Sequence, residues 1–220
     1  MWSLFDDTVT IDRLIQPGRT ICWGAQWLGE KKFLYADERG GAELMHREIH
    51  KLLSQCDALV TYNGAKFDLP RLEGGFLLHG LPPIPPITHI DLYKTVRKMG
   101  FTSSKLAFVG PYLKIGEKVK HEGFDLWKKC MDGDEKAWGR MKKYNKMDVV
   151  LLEGLYNVLR PHIRNHPYIG SATAKISPEC PACGSTATQS RGVRRTRSFL
   201  IQRLQCITCG GWFDGTRKKT

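Results

Sequence analysis

The sequence has 220 residues, 41% of them hydrophobic and 25% charged, which suffices for one well-packed core and a small second module. No stretch approaches the roughly 18 consecutive apolar residues of a membrane-spanning helix, and no basic segment precedes an apolar run at the N-terminus, so we expect no membrane span, no signal peptide and a cytoplasmic location. The net charge is +12, and residues 171–220 contribute +7 of it through nine Lys or Arg against two acids, which favours nucleic acid as a partner, although a solvated basic surface has the same composition.

Predicted strands come first and then alternate with helices. Strands are predicted at 21–28, 32–36, 58–62 and 89–92, and helices at 42–56, from 68 or 70 to 79, at 92–99, 104–113 and 123–131, and from about 134 to 162. The segment LPPIPPI at 81–87 is excluded from regular structure because proline lacks a backbone donor. This order predicts an α/β fold with a mixed sheet flanked by helices.

The chain divides into two predicted modules. Residues 1–164 form the α/β domain, and residues 165–178, which are rich in small and turn-forming residues, form a linker. A compact module follows at 179–215, with a basic tail at 216–220.

The second module carries two pairs of cysteines, CPAC at 180–183 and CITC at 206–209, separated by twenty-two residues and each followed by glycine. Cys180, Cys183, Cys206 and Cys209 therefore predict one tetrahedral, structural Zn²⁺ with no open position for catalysis. The module resembles a zinc ribbon, and a piece this small needs the metal in order to fold.

Basic and aromatic residues are interleaved between and after these cysteine pairs. Arg194, Arg195, Arg197, Arg203 and Trp212 are predicted to contact phosphates and stack on bases. The alternative is that the aromatic residues form the small core of the ribbon, which fits Phe199 better than Trp212.

Three polar residues of the first module suggest a second metal site. Tyr144 and Asp148 lie at i and i+4 and so share one face of the long helix, and Asp68 follows a strand end and a turn. Carboxylates gathered in this way are the hard ligands that Mg²⁺ prefers. Taken alone, Asp68 is better explained as a helix cap and Asp148 as an ion-pair partner of a nearby lysine, whereas the two residues together favour the metal site.

The sequence N-G-x-x-F-D-x-x-x-L at 63–72 and the pair Tyr144-x3-Asp148 resemble the second and third motifs of the DEDD superfamily of 3′–5′ exonucleases. The resemblance covers residues 19–162, and the tyrosine places the chain with the tyrosine subtype. It implies a ribonuclease H-like fold, as in the proofreading domains of family B DNA polymerases. It also implies that Asp68 and Asp148 bind Mg²⁺ or Mn²⁺, that Tyr144 orients the attacking water, and that Asn63 and Phe67 shape the nucleic-acid cleft.

The first motif of that superfamily, D-x-E at the end of the first strand, has no match in this sequence. The closest candidate, SLFDDTVT at 3–10, has Thr8 in place of the glutamate, and its register fits a position after the first strand. We therefore expect a chain that lacks this strand, either as a fragment or by loss of half the metal site, and weak or no nuclease activity. The competing hypothesis is a non-catalytic nucleic-acid-binding protein, with DNA as the first partner to test.

Three further patterns are weaker. His46 and His50 lie at i and i+4, but their order does not match the H-E-x-x-H zinc motif. Asp91 at the end of its strand is within reach of the candidate active site, but a cap of the helix that follows it is the more economical interpretation. Lys118 and Lys120 in the loop 116–124 are candidates for contacts with a nucleic-acid backbone, and an exposed basic loop is the default alternative.

Overall fold

A computed structural model describes residues 18–118, 122–163, 166 and 179–219. The segment SLFDDTVT, Lys120 and all of the predicted linker except His166 lie outside these residues. Within the described ranges, no helix has the length and apolar character needed to cross a lipid bilayer.

The first two strands form an antiparallel pair. β1 (Cys22–Gln26) pairs with β2 (Phe33–Asp37). Glu153 of the long helix holds the turn between them, because its carboxylate accepts hydrogen bonds from the Gln26 side chain and the Gly29 backbone N–H, each at 2.8 Å.

The next two strands form a parallel pair. β3 (Ala58–Thr61) and β4 (Thr88–Asp91) lie in a register that puts Thr61 opposite Asp91, so both strands end at the same edge. Because parallel strands need a crossover connection, helix α2 (Asp68–Leu78) and the irregular proline-rich segment run between them.

The remaining helices match the predicted ones closely. They are α1 (Ala42–Leu53), α3 (Leu92–Val96, continued by a 3-10 turn at Arg97–Met99), α4 (Leu106–Tyr112), α5 (Phe124–Met131) and α6 (Glu135–Leu159). The side chain of Asp134 caps α6 by accepting from the backbone N–H groups of Lys136 and Ala137. A 3-10 turn at Arg160–His162 ends the predicted long helix.

Helices cover both faces of the strand pairs. On one face, α1 and α2 bury Ile49, Leu53 and Phe76 against Trp23 of β1 and Leu59 of β3. On the other face, α6 packs on β1 and on a core that includes residues of β4, α3 and α4. The mixed α/β class is confirmed. Among the described residues of the first module, the strands form two separate two-stranded sheets, so β1 and β3 each have a strand partner on one side only.

The C-terminal module is a three-stranded antiparallel sheet of β5 (Thr188–Arg195), β6 (Phe199–Cys206) and β7 (Trp212–Lys219). The prediction of a separate basic tail at 216–220 is wrong for residues 216–219, because β7 includes them and its last three residues, 217–219, pair with the start of β6. The module contacts the end of α6, where the Arg160 guanidinium donates to the carbonyl oxygen of Ala182 at 3.4 Å.

Candidate functional site

Tyr144 and Asp148 project from the same face of α6, one turn apart. Met141, Leu151 and Leu155 of this helix are buried in the core, whereas the Asp148 side chain keeps 23% of its surface exposed. The Tyr144 ring packs edge-on against Trp127 of α5, with ring centroids 5.9 Å apart. The carboxylate thus lies at the boundary between core and solvent, where a charged group needs a partner.

That partner is Lys118. Its ammonium Nζ lies 2.8 Å from Asp148 Oδ2, donates to the Tyr144 hydroxyl at 3.3 Å and lies 5.2 Å from the centre of the Tyr144 ring. Burial lowers the pKa of Lys118, but the hydrogen bonds to Asp148 and Tyr144 and their charges outweigh burial and raise it above its ordinary value. The lysine predicted to contact nucleic acid is therefore engaged inside the protein.

The other carboxylate oxygen of Asp148, Oδ1, is buried and has no hydrogen-bond partner among the described residues. A buried carboxylate oxygen without a donor is costly, and coordination to a cation is one way to satisfy it. The Asp148 carboxylate therefore fits the role of a ligand to a divalent metal ion.

Asp68 is the first residue of α2 and follows the turn at the end of β3. It is exposed by surface area, yet the protein around it is dense enough that burial, and then the nearby charge of Asp91, raise the pKa of its carboxyl group. Nearby Phe67 has 43% of its surface exposed, and the Lys66 ammonium lies 5.7 Å from the centre of its ring.

Asp91 organises the edge on which Asp68 lies. It is only 6% exposed, and it caps α3 by accepting from the Tyr93 N–H at 3.1 Å, as predicted. It also accepts from the backbone N–H groups of Asn63 at 2.7 Å and Ala65 at 3.3 Å, which ties the Asn63 turn to the end of β4. Asn63 has a φ of 64°, a left-handed conformation that asparagine tolerates. No local sequence pattern indicates this second role, because Asn63 and Asp91 are 28 residues apart.

The carboxylates do not form a complete metal cluster in the described residues. Within those ranges, the four cysteines are the only group of three or more His, Cys, Asp or Glu side chains whose ligand atoms lie close together. The structure thus places Tyr144 beside Asp148 and Asp91 near Asp68, but the described residues contain no cluster of three carboxylates at either place. His46 and His50 belong to no such group either, and each makes a hydrogen bond to a backbone carbonyl.

The four cysteines predicted to bind zinc lie together at one end of the C-terminal sheet. Their ligand atoms all lie within 4.8 Å of one another, and the Cys180–Cys209 and Cys183–Cys206 sulfurs are 3.6 Å apart. A tetrahedral zinc with Zn–S bonds of about 2.3 Å has S–S edges of about 3.8 Å, so the spacing fits that metal.

Both cysteine pairs have the same knuckle geometry. Gly184 and Gly210 each have a φ of 73° and donate a backbone hydrogen bond to Cys180 and Cys206, respectively. Burial raises the pKa of Cys206, but donors that include the Cys209 N–H and the Cys183 thiol outweigh it and bring the pKa to about 7. Burial raises the pKa of Cys180 and raises that of Cys209 to about 12, so Cys206 is the most readily ionised of these three thiols.

The predicted nucleic-acid contacts of the ribbon fall on its exposed surface. Trp212 is 51% exposed, and the Arg203 guanidinium lies 4.8 Å from the centre of its ring. Arg194 pairs with Asp214 at 2.8 Å, whereas Arg195 and Arg197 are exposed. Phe213, by contrast, packs against the cysteine cluster.

The first module is thus an α/β domain of helix-covered strand pairs, with Asp68 at the start of α2, Asp91 at the end of β4 and Asp148 on α6. A protein-family model of the RNase H superfamily matches residues 20–160, and the chain belongs to that superfamily. No curated protein matches the chain. Membership implies a nucleic-acid substrate, and nucleases of this superfamily typically use divalent metal ions.

Proposed function

We propose that this chain carries the nuclease module of a metal-dependent 3′–5′ exonuclease of the DEDD superfamily, tyrosine subtype, followed by a zinc ribbon that helps to hold nucleic acid. The observation that carries the proposal is the Asp148 carboxylate, which has a buried oxygen that no donor of the described residues reaches and a tyrosine one helical turn away.

Asp68 and Asp148 would hold the divalent ions, Mg²⁺ or Mn²⁺. When bound, such ions activate water and neutralise charge on the phosphate. Burial, followed by the charge of Asp148, raises the pKa of Tyr144, so its hydroxyl stays protonated at neutral pH and can hydrogen-bond the attacking water. Asp91 holds the turn that precedes Asp68 through its bonds to the backbone N–H groups of Asn63 and Ala65. In this proposal, Asn63 and Phe67 would border the path of the substrate.

Turnover by this chain is expected to be slow. A two-ion site needs about four carboxylates, by the ligand count that such ions prefer. Among the described residues, neither Asp68 nor Asp148 belongs to a cluster of three or more potential metal ligands.

Cys180, Cys183, Cys206 and Cys209 would hold one zinc ion that stabilises the ribbon. The exposed Trp212 and the arginines beside it would stack on bases and contact phosphates. Single-stranded DNA is the first substrate to test, and RNA of the same sequence is the second.

The test is a single-turnover assay with protein in excess over a 5′-labelled single strand in Mn²⁺. The expected result is a slow ladder of products that shorten from the 3′ end and that disappears with EDTA and in Asp148→Asn. Lys146→Met, which changes an exposed residue of the same helix, serves as the matched control and retains the ladder.

A second function is favoured by one observation, the ion pair between Lys118 and Asp148, which neutralises the carboxylate without a metal. In that case the chain is a non-catalytic nucleic-acid-binding protein. Binding of the labelled strand with no trimming, at any protein excess, would support this second function and overturn the first.

A further inference from the structure

The Lys118 ammonium lies beside the Asp148 carboxylate, in the position where a metal ion would balance the negative charge. Its Nζ is 2.8 Å from Oδ2, and the same nitrogen reaches the Tyr144 hydroxyl at 3.3 Å. The ammonium therefore touches both of the α6 side chains that the proposed function assigns to the metal site. In the described structure, it supplies the positive charge that the carboxylate needs.

This position conflicts with a divalent ion at the same carboxylate. Two positive charges a few ångströms apart repel each other strongly where solvent is partly excluded, and the two side chains keep only 27% and 23% of their surface exposed. The orphaned Oδ1 lies in the same carboxylate, so any ion that it binds meets the ammonium as a neighbour.

The position of Lys118 in the chain also allows its side chain to move away from Asp148. It lies outside the helices and strands, in the segment that follows α4, whereas Asp148 and Tyr144 are fixed on the long helix. Nearby Ile115 packs against the core that contains Leu151 and Leu155, so this residue anchors the segment. A long, flexible lysine side chain can withdraw into solvent without disturbing that anchor.

We propose that Lys118 is a built-in cation that a divalent metal ion must displace from Asp148, so that this lysine sets the metal concentration at which the site is loaded. The inference rests on the proposed function, because it takes Asp148 as a metal ligand. It goes further by assigning Lys118 a role opposed to metal binding rather than a contact with nucleic acid.

The first test measures Mn²⁺ affinity by electron paramagnetic resonance in the absence of nucleic acid. Lys118→Met is expected to bind Mn²⁺ about ten-fold more tightly than the wild type, since the ion no longer has to displace or face the ammonium. Lys146→Met removes the same charge two residues from Asp148, at an exposed position, and is expected to change affinity less than about two-fold.

The second test uses the unaltered protein. Lysines are acetylated briefly with and without Mg²⁺, and each site is quantified by mass spectrometry. Acetylation of Lys118 is expected to be slow without the ion and to rise when Mg²⁺ is added, whereas acetylation of Lys146 stays constant.

The outcomes separate this inference from the proposed function. If Asp148→Asn abolishes Mn²⁺ binding but Lys118→Met leaves the affinity unchanged or weaker, the inference is overturned and the proposed function stands. Unchanged Lys118 acetylation in saturating Mg²⁺ overturns it as well. If Mn²⁺ binding is absent in both the wild type and Lys118→Met, or is indifferent to Asp148→Asn, both proposals fail.

Discussion

Replacing Asp91 with alanine tests how the edge that carries Asp68 is held together. The Asp91 carboxylate is 6% exposed and accepts three backbone hydrogen bonds, at 2.7 Å from Asn63, 3.3 Å from Ala65 and 3.1 Å from Tyr93. Each bond to a charged acceptor contributes about 1.5–3 kcal/mol, and three bonds that share one group do not add fully. We therefore expect Asp91→Ala to lower the free energy of unfolding by about 3 kcal/mol.

Asp91→Asn should cost less, about 1 kcal/mol, because the amide oxygen still accepts from Asn63 and Tyr93. Its amino group then faces the N–H of Ala65, so one bond is lost. The same change removes the charge that, after burial, raises the pKa of Asp68, so that pKa should fall.

Asp134→Ala is the matched control. Asp134 also caps a helix with its carboxylate and accepts from the N–H groups of Lys136 and Ala137, but its side chain is 42% exposed. Water can replace the lost acceptor there, so we expect a clearly smaller loss than for Asp91→Ala.

Urea unfolding of zinc-saturated protein, followed by the helical circular dichroism signal, gives the free energy of unfolding of all three variants. This signal reports on the first module, which contains α1 to α6. A loss for Asp91→Ala no larger than that for Asp134→Ala would refute the reasoning, because it would mean that burial and the link to the Asn63 turn add nothing to an ordinary helix cap.

Three further predictions concern zinc, packing and pH. Protein purified under reducing conditions should contain one zinc per chain, and Cys206→Ser should lose the metal and unfold the C-terminal sheet; elemental analysis that finds no zinc in the unaltered protein would contradict this. Gly75→Ala should destabilise by about 2 kcal/mol, because the new methyl group would overlap the buried ring of His46, whereas Gly74→Ala in the same helix meets no atom of the described residues within 4 Å and should stabilise by up to about 1 kcal/mol; thermal melts in the opposite order would contradict close packing of α1 on α2. The raised pKa of Asp68 means that the folded state binds this proton more tightly than the unfolded state, so stability falls as the pH rises from the ordinary value of about 3.9 through the raised pKa; Asp68→Asn should match the wild type below that window and exceed it above, and equal melting temperatures throughout would count against the assigned burial.

Most elements of the fold follow from local sequence pattern. Helix periodicity and the caps around residues 91 and 134 placed α1 to α6 with small errors at their ends. The boundary at residue 216 was wrong because a run of basic residues reads as a tail, and only pairing with β6 shows that it is a strand. Strand pairing is a contact between distant segments, and composition does not report it.

The sequence by itself predicted each cysteine pair and the helix face that carries Tyr144 and Asp148, because each depends on a spacing of four residues or fewer along one knuckle or one helix. The structure then brings the two cysteine pairs together across the residues that separate them. Only the tertiary structure decided what meets these groups. Lys118 contacts Asp148 across 30 residues and Asp91 contacts Asn63 across 28. Local sequence periodicity predicts neither contact. The physical reason is that the packing of helices, strands and loops decides which side chains meet. The sequence predicted a metal ion beside the Asp148 carboxylate, whereas in the folded chain this carboxylate forms an ion pair with Lys118.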